Sequence, residues 1–245
     1  LALILLVGAG LLLRSFFRVI DADAGVRTEG VLAANLPIPD SRYGKPEGRV
    51  ALVEQLLQKI QGVPGVRSAA FTLPLLGGWQ SSFNIEGRPE PLPGQRPSAD
   101  TTRVTPDYFK TMGVRLLDGR SIESTDRVDT PPVCLIDETF ARTHWPGQSP
   151  IGKRVKFGSL TDATAPWMEV VGVVAHVKNY GVDQPSRVEI YLPFYQRNSN
   201  NATIVVETAG DPASLAAGLR AAVRSVDPDL PLYAVRTLDE IQASQ

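Results

Sequence analysis

The chain has a single cysteine, Cys134, and two histidines, His144 and His176. One thiol cannot close an internal disulfide, so cysteine usage favours neither an oxidising nor a reducing compartment. Neither histidine has a second His or Cys at ligand spacing, so no metal is expected, and no other cofactor. Charge of one sign is not in excess: 25 Lys and Arg against 26 Asp and Glu leave a net charge of -1. Neutralising a phosphate backbone needs a cationic surplus, so nucleic acid is not an expected partner. The pattern G-x-x-x-x-G-K-[ST] does not occur, which excludes a Walker-type phosphate cradle, and G-x-S-x-G does not occur either. Cys134 lies in Val133-Cys134-Leu135-Ile136, the pattern of a buried, inert thiol. The acidic pairs Asp137-Glu138 and Asp126/Asp129 could do acid/base work only if a cleft brought them together. Asp137 stands directly before a helical stretch and reads as its N-cap. His144 at a helix end and His176 at a strand end read as structural. The chain is not expected to be an enzyme.

Long apolar runs are missing too, with one exception: residues 1–13 contain only Leu, Ile, Val, Ala and Gly. As a helix they would cover ~20 Å, short of the ~30 Å hydrocarbon core. They read as the end of a transmembrane helix, with a buried core helix and a secretory signal as rivals. A signal places its basic residues before the apolar run, whereas Arg14 and Arg18 follow it, and no A-x-A cleavage site is present. By the positive-inside tendency the same two arginines favour a cytoplasmic side. With 43% hydrophobic and 21% charged residues, the rest has the composition of a folded domain.

The pattern predicts a strand over 31–37, a helix over 46–60 and a strand over 66–73. Val50, Val53, Leu56, Leu57 and Ile60 share one helical face, Pro46 suits the first turn and Gly62 the stop. The order returns near the end of the chain: a strand over 202–207, a helix opened by Asp211-Pro212 with a stripe of Leu215, Leu219, Ala222, Val223 and Val226, and a strand over 230–235. This reads as a duplicated β-α-β unit, with both helices on one face of a shared sheet. Between the repeats, 77–96 is rich in Gly, Pro and Ser, with a short strand at 83–85 and a Pro-rich linker at 89–97. Strands follow over 101–105, 114–117, 133–136, 154–157, 168–177 and 188–192, and helices over 106–112 and 138–144. The apolar run 170–174 reads as a strand buried on both faces, with Gly172 packed closely within it.

The stretch Thr105-Pro106-Asp107-Tyr108-Phe109-Lys110-Thr111-Met112-Gly113-Val114, followed by Leu116-Leu117-Asp118-Gly119-Arg120, resembles the periplasmic core domain of MacB/FtsX-type ABC transporter permeases. So do Ile136-Asp137-Glu138-Thr139-Phe140-Ala141, His144-Trp145-Pro146, Pro150-Ile151-Gly152-Lys153-Arg154, Val170-Val171-Gly172-Val173-Val174 and Ile190-Tyr191-Leu192-Pro193, in the same order. Within that family the set is most similar to the duplicated orphan permeases of acidobacteria. The resemblance implies an α+β fold: a porter-like subdomain of two β-α-β units (31–88 and 188–245) with an inserted mixed, β-rich subdomain (89–187). Residues 1–20 would be the end of a transmembrane helix and its stalk. It further implies a domain facing the periplasm from the bacterial inner membrane. Such a domain relays conformational change driven by a cytoplasmic ATPase domain or subunit, for efflux or export. A periplasmic adaptor or a second permease copy are its expected partners, besides the membrane itself. Movement of the stalk would tilt the two subdomains about the Pro-rich junctions.

Two loops are candidate partner contacts. Leu75-Leu76-Gly77-Gly78-Trp79 is apolar and glycine-rich, so Leu76 and Trp79 could meet a partner or membrane; the other reading packs Trp79 back onto the subdomain junction. Tyr180, in Asn179-Tyr180-Gly181-Val182-Asp183, stands in a tip loop or a solvated hairpin. Two other function classes stay open: a module that captures a lipid, peptide or lipoprotein between its subdomains, and a hydrolase, which would need a pocket of perturbed titratable groups.

Overall fold

The computed structural model describes residues 25–244 apart from residue 93 and residues 180–186. The apolar stub, the stalk and Tyr180 lie outside the described residues. Among the described residues no helix is long and apolar enough to cross a membrane.

In chain order the elements are β1 (Val31–Pro37), α1 (Asp40–Tyr43), α2 (Pro46–Gln61), β2 (Val66–Leu73), β3 (Trp79–Ile85), β4 (Ser98–Val104), α3 (Tyr108–Met112), β5 (Leu116–Gly119) and β6 (Val133–Asp137). They continue with α4 (Glu138–His144), β7 (Arg154–Phe157), β8 (Met168–Val174), β9 (Glu189–Pro193), β10 (Asn201–Thr208), a 3-10 turn at Pro212–Leu215, α5 (Ala216–Val226), β11 (Tyr233–Thr237) and α6 (Leu238–Gln242).

The two β-α-β units interleave. The strand order is β11-β1-β10-β2, with every neighbouring pair antiparallel. The two strands of each unit are therefore parallel, and one strand of the other unit lies between them. The apolar stripes of α2 and α5 cover one face of this sheet, and Leu36, Leu56, Ile60, Ile204, Leu219 and Val223 fill the first core. The closing strand begins at Tyr233 rather than at 230. Leu230 is spent in the first core instead, and the Asp227 carboxylate accepts the Asp229 N–H at 3.0 Å, which turns the chain before pairing starts.

The middle of the chain closes on itself. β4 pairs with β9, β9 with β6, β6 with β8, β8 with β7, β7 with β3, and β3 again with β4, making a ring of six strands. Alternation along these strands puts Phe83, Cys134, Ile136, Val155, Val170 and Ile190 inside, and Phe140 of α4 joins them. β5 pairs with β8, and its start is two residues later than expected. Gly113 takes the left-handed conformation (φ 70°) that ends α3, and Val114 is drawn into the core by that turn.

The ring and the interleaved sheet are not separate bodies. Val104 of β4 pairs with Thr72 of β2 on one edge and Pro193 of β9 on the other, so one sheet continues through β4. The uncovered face of the interleaved sheet, with Val31, Ala33, Ala70 and Val205, packs on the outer face of the ring, with Leu135, Val174 and Tyr191. Tyr108, Phe109 and Met112 of α3 are wedged into this second core. β3 and β9, which the sequence reading places in 31–88 and 188–245, pair within the ring. The Pro-rich stretch 89–97 joins β3 to β4 inside that ring, so it is no hinge between two parts.

Candidate functional site

Glu47, Val50, Ala51, Glu54 and Leu57, at positions i, i+3, i+4, i+7 and i+10 of α2, share one helical face and form one wall of a surface groove. The opposite wall is the loop after β5. That loop is stiffened from within: Arg120 donates two 2.8 Å hydrogen bonds to the Asp126 carboxylate, which also accepts the Glu123 N–H at 2.8 Å. Gln196 anchors its far end, accepting the Val133 N–H at 3.1 Å and donating to the Pro131 carbonyl at 2.9 Å. Tyr195 forms the floor, and its burial pushes the phenol up to about 12. Arg127 reaches across the groove to an ion pair with Glu54, with its guanidinium 5.3 Å from the centre of the Tyr195 ring. A hollow of about 330 Å³ lies on one side, lined by Glu47, Val50, Val128 and Asp129 among others. Another of about 580 Å³ shares the Tyr195 floor and is edged by Leu57, Asp107, Ile122 and Glu123. The groove thus runs along the seam between the interleaved sheet and the inserted segment.

A polar cluster lies buried near the same seam, on the outer side of the ring. Asp137 caps α4 by accepting the Phe140 N–H at 2.8 Å and forms an ion pair with Nδ1 of His176. That carboxylate holds the imidazole above its ordinary value. Glu189 accepts hydrogen bonds from the Thr102 hydroxyl at 2.6 Å, the Tyr191 hydroxyl at 2.8 Å and the Asn179 amide at 2.8 Å. Burial outweighs these donors and pushes its carboxyl up to about 7. Cys134 points the other way, into the ring, where burial pushes its thiol up to about 12. Asp137 and His176 therefore have no thiol beside them. Among the described residues no group of three or more His, Cys, Asp or Glu could hold a metal ion.

Leu76 and Trp79, singled out in the sequence, differ in setting. Leu76 is partly buried against the second core beside Leu75. Trp79 is no loop residue: it opens β3 opposite Thr101, stays 49% exposed, and has the Arg103 guanidinium 5.2 Å from its ring. Tyr180 is outside the described residues. Of the pair Asp126/Asp129, Asp126 holds a turn and Asp129 edges the groove. The α2 wall was readable in part, because Glu47, Ala51 and Glu54 border the apolar stripe. The facing loop was not, because its contact with α2 joins positions far apart in the chain, Arg127 and Glu54 being 73 positions apart.

The family model for the MacB-like periplasmic core domain matches residues 1–223. Among curated proteins none matches the chain. The fold is similar to the crystal structure of the periplasmic region of MacB from Actinobacillus actinomycetemcomitans, 14% identical, over 93% of this chain and 97% of that one, with a TM-score of 0.56. A domain from Porphyromonas gingivalis, 16% identical, matches over 89% of this chain and 92% of its own, with a TM-score of 0.52. The extracellular domain of the ABC-type transporter YknZ from Gram-positive bacteria is 16% identical over 84% of this chain and 97% of that one, with a TM-score of 0.48. Family model, motif order and fold agree, and the chain belongs to the MacB-like periplasmic core domains of ABC transporter permeases.

Proposed function

We propose that this domain is a mechanical relay on the periplasmic side of a bacterial inner-membrane permease, passing ATP-driven movement of a membrane helix to a periplasmic partner during efflux or export. The supporting observation is the second core, which joins the interleaved sheet to the ring through α3. Two parts that share a close-packed core and a continuous strand transmit displacement with little loss, since packed interiors are poorly compressible. In this reading 31–88 and 188–245, apart from the ring strands β3 and β9, act as the porter-like part next to the membrane and 89–187 as the inserted part, moving together as one body. The ATPase is a separate cytoplasmic domain or subunit, and an adaptor or second permease copy meets the outer surface, where Trp79, Leu76 and Tyr180 are candidate contacts. A relay needs a stiff entry. Inserting a Gly/Ser linker of about 12 residues ahead of Gly25 in the full-length permease makes that entry a flexible coil. We expect ATP hydrolysis to persist while export is lost; export at the parental rate would end the relay reading.

A second reading, a module that captures a lipid, peptide or lipoprotein between the two parts, is favoured by the groove at their seam. The interior of the seam is filled by the second core, so a captured group would sit at the solvent edge.

A further inference from the structure

We propose that the groove between α2 and residues 121–129 docks a basic segment of a partner polypeptide, whose apolar side chains rest against Val50, Leu57 and Tyr195. This rests on the second reading and names the chemistry of its ligand. Five carboxylates edge the two hollows: Glu47, Glu54 and Asp129 around one, Asp107 and Glu123 around the other. The one cation among the lining residues, Arg127, pairs with Glu54 beside the Tyr195 ring, so these two charges cancel and Glu47, Asp129, Asp107 and Glu123 remain. The chain as a whole carries a net charge of only -1, so this acidity is local and not a property of the entire surface. It repels anionic lipid headgroups and acidic segments and attracts Lys and Arg. The apolar component is also exposed: Val128 on the loop is 59% accessible at the rim. From Glu47 to Leu57 the wall is ~15 Å long, room for four or five extended residues or nearly three helical turns. Both hollows are open to solvent at the surface, which suits a segment of a longer chain running through.

The test uses the 245-residue chain and three labelled synthetic peptides of equal length: an amphipathic Lys/Leu peptide, its Glu/Leu counterpart, and a Lys/Leu peptide reordered to abolish amphipathicity. Fluorescence anisotropy should show saturable binding of the first, weakening with added salt as the surface attraction is screened. The double substitution Glu47→Lys with Asp129→Lys changes two exposed side chains and should weaken that binding about tenfold. Val128→Ser should weaken it severalfold through lost apolar contact. Asp239→Lys, a charge reversal in the first turn of α6, should leave it within twofold. Thermal melts of each variant establish folding, and amide chemical shifts on titration should move along α2 and 121–129. Four results would each overturn the proposal: no saturable binding of the Lys/Leu peptide, equal binding of the Glu/Leu peptide, equal binding of the reordered peptide, or equal weakening by Asp239→Lys. Binding to lipid vesicles that the groove substitutions abolish would assign the groove to lipid and overturn it as well.

Discussion

Glu189 shows how one residue couples the seam to pH. Its carboxyl titrates at about 7 in the folded chain against an ordinary value of 4.5, because burial outweighs its three donors. The folded state therefore binds more protons than the unfolded state between those values, and stability falls as pH rises through that window. His176 acts in the same direction. Its value is raised by Asp137, so its stabilising contribution is full below the ordinary value of 6.5 and is lost as pH rises through the folded value. Glu189→Gln should raise stability by about 2 kcal/mol at pH 8 and flatten the difference between pH 5 and pH 8, as read by urea unfolding. An unchanged pH difference would remove Glu189 from this role. Asp227 acts at the opposite end: Arg42 holds its carboxyl at about 2, so that contribution is lost only as pH falls from 3.8 towards 2. The capping role of Asp137 is legible from its place before a helical stretch. Its ion pair with His176 is not, since 39 residues separate the two. Asp137→Ala removes both the cap and the partner of a half-buried imidazole, and should cost about 2–4 kcal/mol in the same measurement.

At the scale of elements, the chain signals local structure well where an apolar run or stripe is bounded by turn and cap residues. α2 carries a clear stripe and a proline at its first position, and it extends one residue past the expected 46–60. β1, β2, α4 and β7 have the expected bounds. The differences arise where tertiary contacts compete: Trp79 pairs as a strand because Thr101 lies opposite it, and Leu230 is taken by a core before β11 can begin. Gly172 reads in the sequence as close packing, and its environment explains why. A Cβ there would lie 2.1 Å from the Arg120 carbonyl oxygen. Gly172→Ala must push β5 away from β8, and a loss of about 2–3 kcal/mol is expected from thermal melts, beyond the usual cost of a strand substitution. α3 is only five residues long, too short to persist alone, and the second core holds it in place. Phe109→Ala should cost about 3–5 kcal/mol by the same measurement.

For the whole molecule, a continuous sheet and a shared core predict a single cooperative transition. All three tryptophans, Trp79, Trp145 and Trp167, belong to the ring and its loops, whereas the two longest helices among the described residues, α2 and α5, lie on the interleaved sheet. Thermal unfolding followed by tryptophan fluorescence and by dichroism at 222 nm should coincide, and Phe109→Ala should lower both midpoints together. Two separated transitions would show that the parts move independently and would undercut the one-body relay. The sequence by itself determined the repeated β-α-β units, the stripes of α2 and α5, the Asp137 cap of α4, the mixed class of the middle block and the family, because these depend on residues near one another in the chain. Only the tertiary structure decided that β3 and β9 close a ring, that α3 cements that ring to the interleaved sheet, and that α2 faces residues 121–129 across an acidic groove. Those arrangements join residues tens to a hundred positions apart, where local periodicity carries no information and the burial of complementary faces selects the partner.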